Sequence, residues 1–125
     1  MAWGGSNRAA LGASAEECAC AHLRRHGVQI LQRNYRVRGG EIDIVARDAD
    51  CLVFVEVRMR RKDGHGGAAA SVDARKRARL AHAARHFLMR LGDAELRCRF
   101  DVIAIDGASL RWLRGAFDEP GALCR

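Results

Sequence analysis

An apolar run that ends in a glutamate most constrains what this chain can fold into. Residues 51–55 are all apolar and lead directly into Glu56, and Asp43 is surrounded by the apolar residues Ile42, Ile44 and Val45. Such runs predict strands of a sheet, an environment that normally rejects charge. Each acid therefore needs a compensating partner, which a cationic side chain, backbone donors or a metal ion would supply.

Strand periodicity decides whether the two acids can share one site. Side chains alternate between the two faces of a strand, so Glu56 and Arg58 point the same way. If the two strands form an antiparallel hairpin, a connecting loop of two or four residues places Asp43 on the face of Glu56. A three-residue loop places it on the opposite face. A shared site requires the even loop.

The remaining pattern predicts one α/β domain of 125 residues with the element order α-β-β-β-α-β-β. Ser14 is predicted to start the first helix, in capping-box spacing with Glu17, and Gly27 to end it. A second helix starts at Ser71 or Asp73 and ends near Leu91. The predicted strands cover residues 28–37, 41–47, 51–59, 99–105 and, as a short edge strand, 110–113. The core then spans about residues 12–113, between a flexible N-terminal stub and an irregular C-terminal tail.

Two charged residues lie on the core-facing stripes of the predicted helices. Glu16 precedes Ala19 and Leu23 at helical spacing, so it either faces the sheet or offsets the helix dipole. Lys76 lies one turn before Leu80, at the start of the second apolar stripe. Burial and the helix dipole both disfavour a lysine there, so we expect an anionic partner unless the side chain reaches solvent.

The formal net charge of +7 favours an anionic partner, with nucleic acid ahead of an acidic membrane surface. Of the 22 basic residues, only Lys62 and Lys76 are lysines, so genome base composition is an alternative source of this charge. The run that follows the third strand is either a solvated strand end or a phosphate-binding segment. The predicted nucleic-acid contacts are Arg58, Arg60, Arg61, Lys62, Arg75, Arg77 and Arg79.

Three features bear on where the protein acts. The five cysteines are odd in number and include no CxxC pair, which predicts reduced thiols. The N-terminus lacks the apolar core of a signal peptide, and no run approaches membrane-spanning length. These features predict a cytoplasmic protein without a membrane partner. The oligomeric state stays open, with a homodimer as one option.

Taken together, these motifs resemble a known family. They are Ala15-Glu16 with Ala19 and Leu23, residues 38–43 (Arg-Gly-Gly-Glu-Ile-Asp), residues 52–58 with Glu56-x-Arg58, residues 66–72 with Lys76, and residues 98–102. In this order they resemble the YraN-like family of small bacterial proteins, within the PD-(D/E)XK nuclease superfamily. The resemblance runs from about Gly12 to Gly107. It implies a restriction-endonuclease-like three-layer core with a mixed sheet of about five strands, related in fold to archaeal Holliday-junction resolvases.

The resemblance also implies a metal site. Asp43, Glu56 and the carbonyl of Val57 would be ligands of Mg²⁺ or Mn²⁺, and Glu16 would lie near the metal, with a bridging water as one option. The implied catalytic set is Glu16, Asp43, Glu56, Arg58 and Lys76. Arg58 replaces the lysine that is usual in the superfamily, and arginine stays protonated, so it cannot serve as a general base. Either Lys76 supplies the missing ammonium group, or activation of the attacking water falls wholly to the metal.

We therefore expect a metal-dependent endonuclease that hydrolyses phosphodiester bonds in structured DNA. An alternative is a non-catalytic nucleic-acid-binding module that retains the nuclease fold, with Arg58 pairing the acids. A third is a protein-interaction scaffold whose basic surface is incidental.

Overall fold

The five strands form one mixed sheet in the order β1-β2-β3-β4-β5, in which β3 and β4 are parallel and the other neighbours are antiparallel. A computed structural model describes residues 4–59, 72–92 and 96–118, with side chains from Ser14 onwards in the first helix. The elements are α1 (Gly4–Arg25), β1 (Gln29–Val37), β2 (Gly40–Asp48), β3 (Cys51–Met59), α2 (Ala74–Leu91), β4 (Arg97–Asp106) and β5 (Ser109–Phe117). The predicted element order and mixed five-stranded sheet are confirmed.

The two helices cover opposite faces of this sheet. Phe54 belongs to the core under α2, whereas Val53 and Val55 belong to the core under α1. Because β3 is the central strand and is covered on both faces, its sequence is a continuous apolar run instead of an alternating one. The parallel pairing of β3 with β4 requires a crossover connection, which α2 provides. The result is a three-layer α/β/α arrangement.

Local capping sets the ends of α2. The Asp73 side chain accepts the backbone N–H of Lys76 at 2.9 Å, and Gly92 follows the last turn in the left-handed conformation with φ of 73°. Asp73 is therefore the N-cap, and Gly92 ends the helix as predicted. Ser71, the other predicted cap, lies outside the described residues.

The predicted start of α1 is wrong. The helix begins at Gly4, and Ser14 is an exposed residue within it. The good helix formers Ala9, Ala10, Leu11 and Ala13 precede Ser14 and favour continuation of the helix over a cap at this position. Glu17 consequently has no capping-box role, and its carboxylate accepts a hydrogen bond from Arg33 Nη1 at 2.7 Å.

The last strand is longer than the predicted segment at residues 110–113, and a buried carboxylate explains why. Asp101 is fully buried and accepts the Trp112 indole N–H at 2.8 Å and the Gly115 N–H at 3.0 Å. Arg99 donates to the same carboxylate at 3.0 and 3.2 Å. These bonds hold β5 across a register shift where Gly115 has φ of 58°, so the strand continues to Phe117.

The cysteines agree only in part with the expectation of reduced thiols. Cys18, Cys20 and Cys51 are free, whereas Cys98 is disulfide-bonded. Pairing of distant cysteines depends on the fold and is not set by sequence spacing, so the prediction was wrong at Cys98. Neither of the helices in the described ranges combines the length and apolarity needed to cross a bilayer.

Candidate active site

The β2–β3 hairpin brings the two strand acids together. Asp48 pairs with Cys51 and Ile44 pairs with Val55, so the loop contains two residues. Extending this register by one residue places Asp43 opposite Glu56, on the same face. The even loop that a shared site requires is therefore present.

The backbone pairing ends at this point, because the Asp43 side chain takes the place of a ladder partner. Asp43 Oδ2 accepts the backbone N–H of Val57 at 2.8 Å. The N–H and C=O groups of one strand residue point to the same edge, so the carbonyl of Val57 is also directed towards β2. The sequence predicted this carbonyl as a metal ligand on the basis of the family resemblance alone.

Glu56 is the most buried of the site acids, with only 6% of the residue exposed. Burial, followed by the charge and hydrogen bonding of Asp43, raises the pKa of Glu56 to about 8, although the charges of Lys76 and Arg58 oppose the rise. At neutral pH the carboxyl group is therefore largely protonated. The charges of Lys76 and Arg58 are thus not enough to keep Glu56 ionised at this pH.

The two cations approach Glu56 from different elements. Lys76, in the first turn of α2, places Nζ 3.8 Å from Glu56 Oε1, which provides the anionic partner expected for this lysine. Arg58 shares the Glu56 face of β3. Within the described residues, the buried Nε of Arg58 has no hydrogen-bond partner. Arg58 is thus held beside the acids with donor capacity left over.

Glu16 belongs to α1, which covers the sheet face opposite to α2, and it approaches Asp43 from that side. Its Oε1 atom lies 3.9 Å from Arg33 Nη2, is buried and has no hydrogen-bond partner among the described residues. Burial and the charge of Asp43 raise the pKa of Glu16, and Arg33 and Asn34 lower it. Asp43 therefore interacts electrostatically with both Glu16 and Glu56, although the three residues belong to three elements.

Sequence reasoning missed Asn34. It lies inside β1 but has φ of 53°, and the register of β1 with β2 places it opposite Asp43. This conformation reverses the side-chain alternation: Arg33 contacts the acids of α1, whereas Tyr35, two residues later, packs under α2. Asparagine tolerates left-handed backbone better than most residues, which was the only available signal.

These residues fit a hard divalent cation that retains several waters. Among the described parts of the chain, no three His, Cys, Asp or Glu side chains are arranged to enclose a metal. Mg²⁺ is usually held by one or two carboxylates with water completing the octahedron, so Asp43 and Glu56 suffice as protein ligands. The unpartnered Oε1 of Glu16 is an acceptor for such a water.

Apart from Arg58, the predicted nucleic-acid contacts divide into three groups. Arg75 and Arg79 are exposed on α2 and form no ion pair among the described residues. Arg77 is engaged by the protein itself, because its Nε donates to the Val72 carbonyl at 2.9 Å and its guanidinium lies over the Phe117 ring. Both contacts hold the Arg77 guanidinium against the protein and reduce its capacity to bind a phosphate. The predicted contacts outside the described residues are Arg60, Arg61 and Lys62.

Comparison with known proteins identifies the family. The model of uncharacterised protein family UPF0102 matches residues 15–105. A UPF0102 protein of Methylibium petroleiphilum is 53% identical over 116 residues, which cover 87% of this chain and 94% of that protein. A UPF0102 protein of Dechloromonas aromatica is 50% identical over 108 residues, covering 86% and 88% of the two chains. One from Nitrosomonas europaea is 48% identical over 111 residues, covering 86% and 93%. The chain therefore belongs to the UPF0102 family, the YraN-like family that its motifs resemble.

Proposed function

We propose that the protein is a metal-dependent endonuclease that hydrolyses phosphodiester bonds in structured DNA. The observation that carries the proposal is the convergence of three carboxylates and two cations from four separate elements at one end of the sheet. Buried charges are costly unless each is paired. Charged residues buried separately would each need only a partner of their own and would not have to converge on one place. A protein of this activity would act in the cytoplasm, where bacterial DNA is found.

Asp43, Glu56 and the Val57 carbonyl would hold Mg²⁺ or Mn²⁺, with Glu16 binding a metal-bound water. The bound ion would polarise the scissile phosphate and lower the pKa of the attacking water. Arg58 would stabilise the negative charge that develops on the phosphate, because its guanidinium cannot accept a proton. Lys76 would orient Glu56 and, together with the bound ion, favour its ionised form.

The raised pKa of Glu56 supports this assignment. Two facing carboxylates without sufficient cationic charge are unfavourable in a buried position, and a divalent cation relieves their repulsion. Metal binding would displace the proton of Glu56, so affinity for the metal would be pH-dependent.

A second candidate is a nucleic-acid-binding module without cleavage. The contact of Lys76 with Glu56 favours it, because this acid already has a cation of the protein as a partner. The arginine at position 58 also departs from the superfamily pattern, which weakens any role in water activation.

Calorimetric titration with Mn²⁺, combined with cleavage assays, tests the first proposal. We expect wild-type protein to bind Mn²⁺ and to cut single-stranded, duplex or four-way-junction DNA with Mg²⁺ or Mn²⁺ but not with chelator. Asp43→Asn and Glu56→Gln should abolish both activities without loss of fold, because each removes a charged oxygen ligand while preserving side-chain size.

Asp50→Asn is the matched control for Asp43→Asn. Asp50 is an exposed acid in the β2–β3 loop, at the other end of the same hairpin, where it lies 4.0 Å from Arg97. The Asp50→Asn variant should bind metal and cut DNA like the wild-type protein. Mn²⁺ binding that is unchanged in both site variants would contradict the metal site. Absence of cleavage with either metal, together with retained DNA binding, would favour the second candidate.

A further inference from the structure

The β1–β2 turn, residues 38–39, is packed directly against the backbone of α2. A Cβ atom at Gly40 would lie 2.4 Å from the Arg79 carbonyl oxygen and 3.0 Å from the Ala83 nitrogen, far closer than any side chain allows. Only glycine permits this approach of strand to helix. The start of β2 therefore packs against the backbone of α2 at Arg79 and Ala83.

A histidine closes the same contact from the helix side. His82 Nε2 donates a hydrogen bond to the carbonyl oxygen of Arg38 at 2.9 Å, and its ring lies against Gly39. Since a carbonyl can only accept, the His82 ring must carry a proton on Nε2. One turn later, His86 and Tyr35 form a hydrogen bond of 2.6 Å. The turn is thus fixed relative to α2 at several points, and the backbone of Arg38 has a defined position.

This turn lies at the same end of the sheet as the acids. β1 ends and β2 begins there, β3 ends there with Glu56 near its terminus, and α2 starts there with Lys76. Arg75 and Arg79 lie one turn apart on the helix flank that faces the turn. Arg38, Arg75 and Arg79 are all exposed and form no ion pair among the described residues. Within the described part of the chain they are therefore cations without acidic partners, next to the acids and close to a turn that is fixed against α2.

We propose that Arg38, Arg75 and Arg79 form a surface that binds the sugar–phosphate backbone of the nucleic acid and aligns it with the acid site. The inference rests on the proposed function, since it names the contact surface of the same substrate. Unpaired arginines on fixed backbone suit phosphate groups, which arginine binds through two parallel hydrogen bonds. Contacts of this kind position the strand and do not select its sequence.

Fluorescence anisotropy of labelled duplex DNA over a range of salt concentrations tests the surface. Each phosphate contact contributes about one unit to the slope of log affinity against log salt. Arg38→Ala should therefore reduce the slope by about one unit, and Arg75→Ala with Arg79→Ala by about two. Arg38→Lys should retain the wild-type slope, because the ammonium group still contacts phosphate as a point charge.

Arg24→Ala with Arg25→Ala is the matched control. These two exposed arginines lie at the C-terminal end of α1, far from the proposed surface. Their replacement changes the net charge by the same amount as the replacement of Arg75 and Arg79. Its slope should equal that of wild type. If Arg38→Ala leaves the slope unchanged, or the control lowers it equally, the surface is refuted while the endonuclease proposal stands. A wild-type protein that binds no DNA would instead refute the proposed function.

Discussion

At the scale of single residues, the protonation of Glu56 controls the candidate site. Its burial and the neighbouring Asp43 raise its pKa to about 8, against 4.5 for an ordinary glutamate. Between these two values the folded chain binds more protons than the unfolded chain, so the free energy of unfolding falls as pH rises. Glu56 therefore destabilises the fold at and above neutral pH.

Replacing Glu56 by Gln should remove this pH dependence. We expect the variant to be more stable than wild type by about 1–3 kcal/mol at pH 8, and similar to it near pH 4.5. Urea unfolding from pH 4.5 to 8.5 with chelator would measure the difference. Glu17→Gln, at an exposed acid on α1, is the control and should retain the wild-type slope. A Glu56→Gln curve parallel to that of wild type would contradict the raised pKa.

Variants of Arg58 distinguish the endonuclease proposal from the alternative of a non-catalytic nucleic-acid-binding module. If its guanidinium stabilises the reacting phosphate, Arg58→Ala should lower the cleavage rate by about 10²–10³ and leave DNA binding nearly unchanged. Arg58→Lys should retain activity, because it restores the ammonium group usual in the superfamily. Cleavage rates and thermal melts on both variants would test this. Loss of thermal stability in Arg58→Ala, in a protein that shows no cleavage, would indicate that Arg58 only compensates the acids.

At the scale of elements, the β1–β2 hairpin joins the two halves of the site. The positive φ of Asn34 turns the end of β1 so that Arg33 contacts the acids of α1 while Tyr35 packs under α2. Gly40 then lets the hairpin approach α2 at backbone distance. One hairpin thereby contacts both helix layers next to the acids.

Gly40→Ala should be strongly destabilising for steric reasons alone. Its Cβ would meet backbone atoms of α2, which cannot move aside as a flexible side chain can. We expect a loss of about 1–3 kcal/mol in chemical denaturation. Gly107→Ala is the comparison, because Gly107 has φ of 58° and open space around it, so its cost is backbone strain only, about 1 kcal/mol. Equal losses in the two variants would mean that the hairpin withdraws from α2 at little cost.

At the scale of the whole molecule, the candidate site exists only when all three layers assemble. Glu16 belongs to the α1 layer, Lys76 to the α2 layer, and Asp43, Glu56 and Arg58 to the sheet between them. The match to the UPF0102 family and the mixed five-stranded sheet establish the family and the fold at this scale. Chemistry is left to the local arrangement of these five side chains, since the fold alone does not specify function.

Much of this arrangement was determined by local sequence. The largely apolar run at residues 51–59 predicted β3 with its correct bounds, and Asp73 and Gly92 set the ends of α2. Helical spacing predicted that Lys76 faces the sheet, where it contacts Glu56. Strand periodicity showed that only the length of the connecting loop decides whether Asp43 and Glu56 lie on the same face of the sheet. Each of these signals acts over a few residues, within a single turn or strand, and is therefore readable from sequence.

Only the tertiary structure decided the remainder. Glu17 pairs with Arg33 instead of capping a helix, and Arg77 stacks on Phe117 instead of facing solvent. Buried Asp101 holds β5 to its full length, and the seating of Gly40 on α2 fixes the β1–β2 turn. In each case the partner is at least eleven residues distant in the chain, and its position is set by the packing of other elements. Local propensity carries no information about such partners, because the energy of the contact arises only after the sheet and both helices have packed together.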